Sequence, residues 1–211
     1  ARTTKPTRNL IIVDSLSSQP DSDRVDLARA IAMAAHDPRD NQIEFDPAVF
    51  TKPVTLVLNQ PITVAAGSGN DSIRGRAGES PSISLDAKAC PDAGIICGGN
   101  ASLSLANLAI EGGRQRAILL KDKGRVTLEN VIVHSDNGPG IALFGASKIE
   151  IRQSQIRQAQ THGIEVHGTC TADLRSVQIV GSGQSGIAGF DQAVVTADAC
   201  RLDRNGHWNV V

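Results

Sequence analysis

Eight residues, "THGIEVHG" (161–168), hold two histidines and a glutamate. His162, Glu165 and His167 combine two imidazoles, which titrate near neutral pH, with a carboxylate. General acid–base catalysis is assembled from such groups, so these three are the candidate catalytic residues. "GPGIALFG" upstream and "SGIAGFDQ" downstream repeat the Gly-Ile pair without the ionisable side chains. If Ile164 and Val166 face a core, Glu165 and His167 face outward, because side chains alternate along a strand. The position of His167 is held by Lys121, Phe144 and Phe190 in the neighbouring segments, and that of Glu165 by Leu119, Ala142 and Ala188. Outward phenylalanines on either side of a histidine, roughly 10 Å apart at strand spacing, would offer ring faces to a sugar chain. Lys121, Phe144, His167 and Phe190 are therefore the candidate ligand-binding file. A solvated strand face, with Phe packed under a loop, would account for the same residues.

A second outward set lies on another strand position. Glu150 and Asp173 stand beside Arg152 and Arg175, with Glu129 and Asp198 at the ends. Acids near arginines suit a lyase, in which a cation neutralises a uronate and a base takes the proton. The ladder Glu129, Arg152, Arg175, Asp198 also allows ordinary ion pairs across neighbouring strands, each worth little. It is not read as a calcium site. Phosphate-loop, zinc-protease and nucleophile-elbow motifs are absent. The glycine-rich stretches "GSGND" and "GRAGES" lie between strand-like pieces rather than before a helix. No metal or cofactor is expected.

The elements that must position these residues come from a repeat. Lines of 23 residues starting at Leu103, Val126, Ile149, Ala172 and Val195 align without a gap. The first, third, sixth and eighth positions are nearly always apolar, as in Val126, Leu128, Val131 and Val133. Two alternating pairs with a two-residue step between them predict two short strands joined by a bend. Later in each line comes a third strand, with Ile118, Ile141, Ile164 and Ile187 in one column and Gly140, Gly163 and Gly186 just before it. Glycine there suits a turn that needs unusual dihedrals. Such a unit cannot bury its own face, but stacked on copies of itself it forms a continuous core. Upstream the register slips, leaving the strand-like pieces "QIEF", "VTLVL", "PITV", "SIRG" and "SISL".

The N-terminal "DSDRVDLARAIAMAAH" predicts a helix over 22–36, with Ser22 as N-cap, Asp23 and Asp26 in the first turn, and His36 then Pro38 at the end. Leu27, Ile31 and Ala34 or Ala35 form its apolar stripe. Such a helix would cover the first open edge of the stack. No equivalent cap is visible in "NGHWNVV". Either Trp208 folds over the last layer, or the edge packs on another chain, or the sequence is a fragment of a longer protein.

The three-strand line resembles the right-handed parallel β-helix of the pectate-lyase-like superfamily over residues 83–211. The helix followed by "NQIEFDPAVF" is similar to the "LR-x-A-I … I-x-F-D-P" opening of bacterial secreted β-helix proteins. The resemblance implies an all-β fold, a single β-helix domain over 1–211 with the cap at 22–36 and regular coils at 103–211. "THGIEVHG" is similar to the "G-H-G-I-S-I-G-S" strand of polygalacturonase-type glycoside hydrolases, with His162 at the matching histidine. The acid pair of that family, "N-T-D-G" and "G-D-D-C", has "DNGPGIAL" and "QRAILL" in its place, so hydrolysis by two flanking carboxylates is not supported.

Composition bounds the remaining possibilities. Four phenylalanines, one tryptophan and no tyrosine leave the core to Ile, Leu, Val and Ala. A formal charge of −1 supplies no field to attract nucleic acid or an anionic membrane, and neither is expected as a partner. No apolar run approaches the ~20 residues of a membrane span. A chain starting at Ala1 is compatible with a mature form that has lost a leader. Cys90 and Cys97 bracket a loop short enough for a disulfide, while Cys90, Cys97, Cys170 and Cys200 suit buried thiols equally. The expected protein is an extracellular, periplasmic or cell-surface β-helix, non-catalytic, that binds polysaccharide or serves as an assembly scaffold, with oligomerisation through its C-terminal edge. The alternative is a lyase or epimerase acting on an acidic glycan.

Overall fold

A computed structural model describes residues 8–16, 24–64, 69–78 and 81–211. Among these, three parallel sheets of eight, seven and six strands run side by side. Each circuit of the chain adds one strand to the first sheet, one to the second and one to the third, as in Ser102–Ala106, Leu108–Glu111 and Arg116–Leu120. From there the 23-residue line is the circuit. Leu103 pairs with Val126, Val126 with Ile149, Ile149 with Ala172, and Ala172 with Val195. Ile118, Ile141, Ile164 and Ile187 stack in register down the third sheet. Upstream the parallel pairing continues through longer circuits, with Ile43 on Ile73, Ile73 on Leu105 and Ile62 on Ile95.

The alternating apolar positions line the interior. Val126, Leu128, Val131 and Val133 are buried, as are Ala172, Leu174, Val177 and Ile179. Ser154 breaks the apolar file yet is satisfied: its hydroxyl donates to the Arg152 carbonyl at 2.7 Å and accepts from the Val131 amide at 3.0 Å. Corners along all three edges of the stack use residues in the left-handed region. The bend after the first sheet uses Asn107, Asn130, Gln153, Ser176 and Ala199, the corner after the second uses Gln158, Gly181 and Arg204, and that after the third uses Asp122, Gly145, Gly168 and Asp191. Asn and Asp take this conformation at lower cost than other side chains.

Gly140, Gly163 and Gly186 are not among these left-handed residues, which corrects the dihedral reading of that column. They are required for space. A Cβ on Gly163 would stand 2.4 Å from Ile179 Cγ2 and 2.6 Å from the Gly186 carbonyl oxygen. The chain enters the third sheet pressed between the core and the next circuit.

The helix is shorter than its sequence signals, spanning Leu27–Ala35 with Asp26 as N-cap accepting from the Arg29 amide at 2.7 Å. Ser22 lies outside the described residues. Val25 is held extended against Asp14, donating to its carboxylate at 2.6 Å and accepting from its amide at 3.0 Å, so helix cannot begin before Asp26. The buried stripe is Leu27, Ala30 and Ala34, with Ile31 half-buried and Ala35 exposed. It packs on the strand Asn9–Val13, which pairs with Asn41–Phe45 and adds an edge strand to the first sheet ahead of the helix.

At the other end the last circuit lies bare. Val195, Cys200 and Leu202 are half-buried and Ala197 is exposed, although their counterparts one circuit earlier are buried. Trp208 does not fold over this layer; it is 68% exposed. Its backbone is drawn into the third sheet instead, with the Trp208 carbonyl accepting from Gly186 and the Asn209 carbonyl from Ile187, both at 2.9 Å. All four cysteines are free thiols. Cys90 and Cys97 turn to separate carbonyls, those of Leu58 at 3.4 Å and Ala101 at 3.6 Å, so no disulfide closes their loop.

Candidate functional site

The outer face of the third sheet carries the predicted file. Ile164 and Val166 are buried, while Glu165 and His167 are half-exposed on the outside. The register brings Ala142, Glu165 and Ala188 side by side, and Phe144, His167 and Phe190 follow the strands Ile141–Leu143, Ile164–Val166 and Ile187–Gly189. Strand spacing near 4.8 Å is also close to a stacking distance for flat rings. The rings take advantage of it. Phe144 and His167 stack with centroids 4.7 Å apart and planes at 11°, and His167 and Phe190 at 4.5 Å and 10°.

This stack corrects the picture of two phenylalanine platforms open to a sugar. The faces that Phe144 and Phe190 turn toward each other are filled by the imidazole. On its far side Phe144 meets the Arg116 guanidinium, 5.8 Å from the ring centroid, and Arg116 is itself paired with Asp92 at 3.3 Å. Beneath the ring, Phe144 packs on a small outer apolar cluster of Ala93, Leu119 and Ala142. Lys121 does not join the stack; it leans over Gly98 of the preceding circuit. Among the described residues, Phe190 stacks on His167 alone. It is 40% exposed and borders a cavity of about 260 Å³ shared with Ile187, Asp191, Ala193, Val210 and Val211.

The ionisable residues gather beside the stack. His167 Nε2 lies 3.7 Å from Glu165 Oε1, an ion-pair distance rather than a hydrogen bond. His162 stands edge-on to Phe190 with centroids 6.3 Å apart. Burial pushes the His162 pKa below its usual value; Glu165 opposes the shift, and His207 and His167 add to it. Its Nδ1 accepts from the Ser185 amide at 3.3 Å, so the lone pair a base would use is already engaged.

The charged file of the first sheet is in register as expected, with Glu129 beside Arg152, Arg152 beside Arg175 and Arg175 beside Asp198. Its ion pairs run along each strand instead of across circuits: Arg152 to Glu150 and Arg175 to Asp173, both at 3.0 Å. Two arginines stacked on each other repel, and each turns to the carboxylate two residues back on its own strand.

One cluster was missed in the sequence. On the second sheet His134 Nδ1 lies 2.8 Å from Glu111 Oε2 and its Nε2 3.2 Å from Asp136 Oδ1, with Lys88 3.3 Å from Asp136. Both ring nitrogens can donate to these carboxylates only when the ring carries both protons. The signal was present: Glu111 and His134 occupy the ninth position of consecutive 23-residue lines. A family model described as "Right handed beta helix region" matches residues 93–209. The chain belongs to this right-handed β-helix family. No curated protein and no solved structure matches it. In this right-handed β-helix the third sheet is the one whose outer face combines stacked rings, a buried apolar floor and ionisable groups, whereas on the first sheet Arg152 and Arg175 pair with Glu150 and Asp173.

Proposed function

We propose that this right-handed β-helix is a non-catalytic, polysaccharide-binding module of a secreted or cell-surface protein. The observation that carries the reading is the row of rings on the outer face of the third sheet, Phe144, His167 and Phe190, of which Phe190 is 40% exposed. A sugar ring placed against Phe190 would cover its apolar surface, with Asp191 and His162 nearby to meet hydroxyl groups. Aromatic contacts of this kind contribute about 1 kcal/mol, or roughly fivefold in affinity. Affinity electrophoresis in gels containing a panel of neutral and acidic glycans tests this. Phe190→Ala should weaken retention on the glycan that slows the wild type, and Phe144→Ala should weaken it less, because both faces of Phe144 are occupied. Equal retention of Phe190→Ala and wild type across the panel refutes the reading.

The half-exposed Glu165–His167 pair favours a second reading, a lyase or epimerase acting on an acidic glycan. A lyase would release an unsaturated, ultraviolet-absorbing product from a uronate polymer, and Glu165→Gln would abolish it. No product from any uronate polymer would leave the binding module standing.

A further inference from the structure

The outer face of the second sheet holds a trough of about 470 Å³ lined by Gln155, Arg157, Gln158, Gln178, Gly181 and Arg204. Its shape comes from a corner column. Gln158, Gly181 and Arg204 are the left-handed corner residues of three successive circuits. Gly181 sets no side chain between the other two, and a Cβ built on it would find no atom nearer than 3.8 Å. The glycine leaves a notch in a file that is otherwise occupied. The volume falls in the range of small-ligand sites, about 300–1,000 Å³.

The lining has a marked chemistry. Two guanidiniums and three side-chain amides border the trough, and no carboxylate does. The Arg157 Nε donates to Gln155 Oε1 at 2.7 Å, so the hydrogen bond that positions this cation is to a neutral group and leaves its charge uncompensated. Arg204 lies 3.7 Å from Asp203, a carboxylate already taken by Arg201 at 2.9 Å. Two arginines thus share one acid, and Arg157 is bonded to a neutral amide. Gln155 and Gln178 are register neighbours, one circuit apart. Amides both donate and accept, which suits sugar hydroxyls, whereas the guanidinium fork suits a planar or tetrahedral oxyanion.

We infer that this trough binds an acidic sugar residue, with its carboxylate or sulfate held by Arg157 and Arg204 and its hydroxyls by Gln155, Gln158 and Gln178. The site is on a different sheet from Phe190 and does not depend on the reading of that ring. Isothermal titration of the whole chain separates the possibilities, using a carboxylated alginate oligosaccharide, a sulfated dextran oligosaccharide, neutral maltohexaose and sodium sulfate alone. At least one acidic oligosaccharide should bind about tenfold or more tightly than either maltohexaose or sulfate, and added salt should weaken it. The double variant Arg157→Gln/Arg204→Gln should lose about tenfold in that affinity. Gly181→Gln, which fills the notch, should lose a comparable factor, and Arg125→Gln, on the first sheet away from both candidate sites, should leave this binding unchanged. Matching unfolding midpoints would show that the variants are folded. Equal affinity for maltohexaose or for sulfate alone, no binding of either acidic oligosaccharide, or an unaffected arginine double variant would overturn the assignment. Loss with Phe190→Ala while the arginine variant binds normally would overturn it too, and would leave the Phe190 site intact.

Discussion

Gly163→Ala tests what the glycine column is for. An added Cβ would meet Ile179 Cγ2 at 2.4 Å, the Gly186 carbonyl oxygen at 2.6 Å and Ser182 Oγ at 3.1 Å. The isoleucine methyl can shift by rotation, but the carbonyl belongs to the next circuit and is held in the parallel ladder. Overpacking of this kind costs about 1–3 kcal/mol. Because Gly163 is not left-handed, alanine also restricts the unfolded chain and returns about 0.4–1 kcal/mol. The net expectation is a loss of about 1–2 kcal/mol, or a fall of roughly 2–8 °C in Tm for a domain of this size. Gly181 is the counterpart, with φ +74 and no atom closer than 3.8 Å to its added Cβ. There the loss comes from conformation alone, and asparagine, which tolerates the left-handed region, should be better than alanine. At Gly163 the larger asparagine should be worse than alanine. Urea unfolding of the four variants reads this crossing pattern directly. If Gly163→Ala is neutral or stabilising, or if asparagine ranks above alanine at both positions, the steric account of the column is wrong.

Further outcomes follow from other parts of the fold. The buried Asn41 amide lies 2.8 Å from the Arg39 carbonyl and 2.9 Å from Asp71 Oδ1, and its oxygen accepts from Asn9 at 2.9 Å. Asn41→Ala should therefore cost about 1–3 kcal/mol in chemical denaturation, and a change under a few tenths would show that this clamp between helix and strands is idle. Thiol titration should find four reactive cysteines in denaturant and, in the native state, a fast reaction confined to the half-exposed Cys200; fewer than four in denaturant would reveal a disulfide. The His162 pKa is lowered by burial, so the neutral ring is the form the fold favours. Its contribution is complete above the unfolded histidine value, about 6.5, and is lost as pH falls through the lower folded value. His162→Gln should accordingly reduce the drop in urea midpoint between neutral pH and pH 5; an unchanged drop would mean that His162 titrates without effect on folding.

The file of isoleucines at 118, 141, 164 and 187 could be read directly, because a strictly repeated apolar position has no way to be buried except against its own copies. The outward placement of Glu165, His167, Phe144 and Phe190 followed from the same alternation. Less was legible at the edges of that logic. The strand Asn9–Val13 has its partner across the intervening helix, and a short apolar segment alone does not announce a pairing that distant. The helix start moved to Asp26 because Asp14, a remote residue, holds Val25 extended. The His134 cluster was readable in principle, since Glu111 and His134 share a line position, but Lys88 and Asp136 reach it from turns where the repeat is silent.

The repeat alone determined the register, and with it which residues are neighbours and which side of the wall each occupies. Side-chain alternation and the need to bury Ile, Leu and Val leave no other arrangement of the 23-residue lines. Only the tertiary structure decided what each outward side chain does with its neighbours. Arg152 and Arg175 pair along their strands, Arg116 takes the outer face of Phe144, His167 fills the space between two rings, and Gly181 opens a notch beside two arginines. These outcomes depend on side-chain rotation and on competition among several partners within a few ångströms. A linear pattern of residue types carries the adjacency but not the result of that competition.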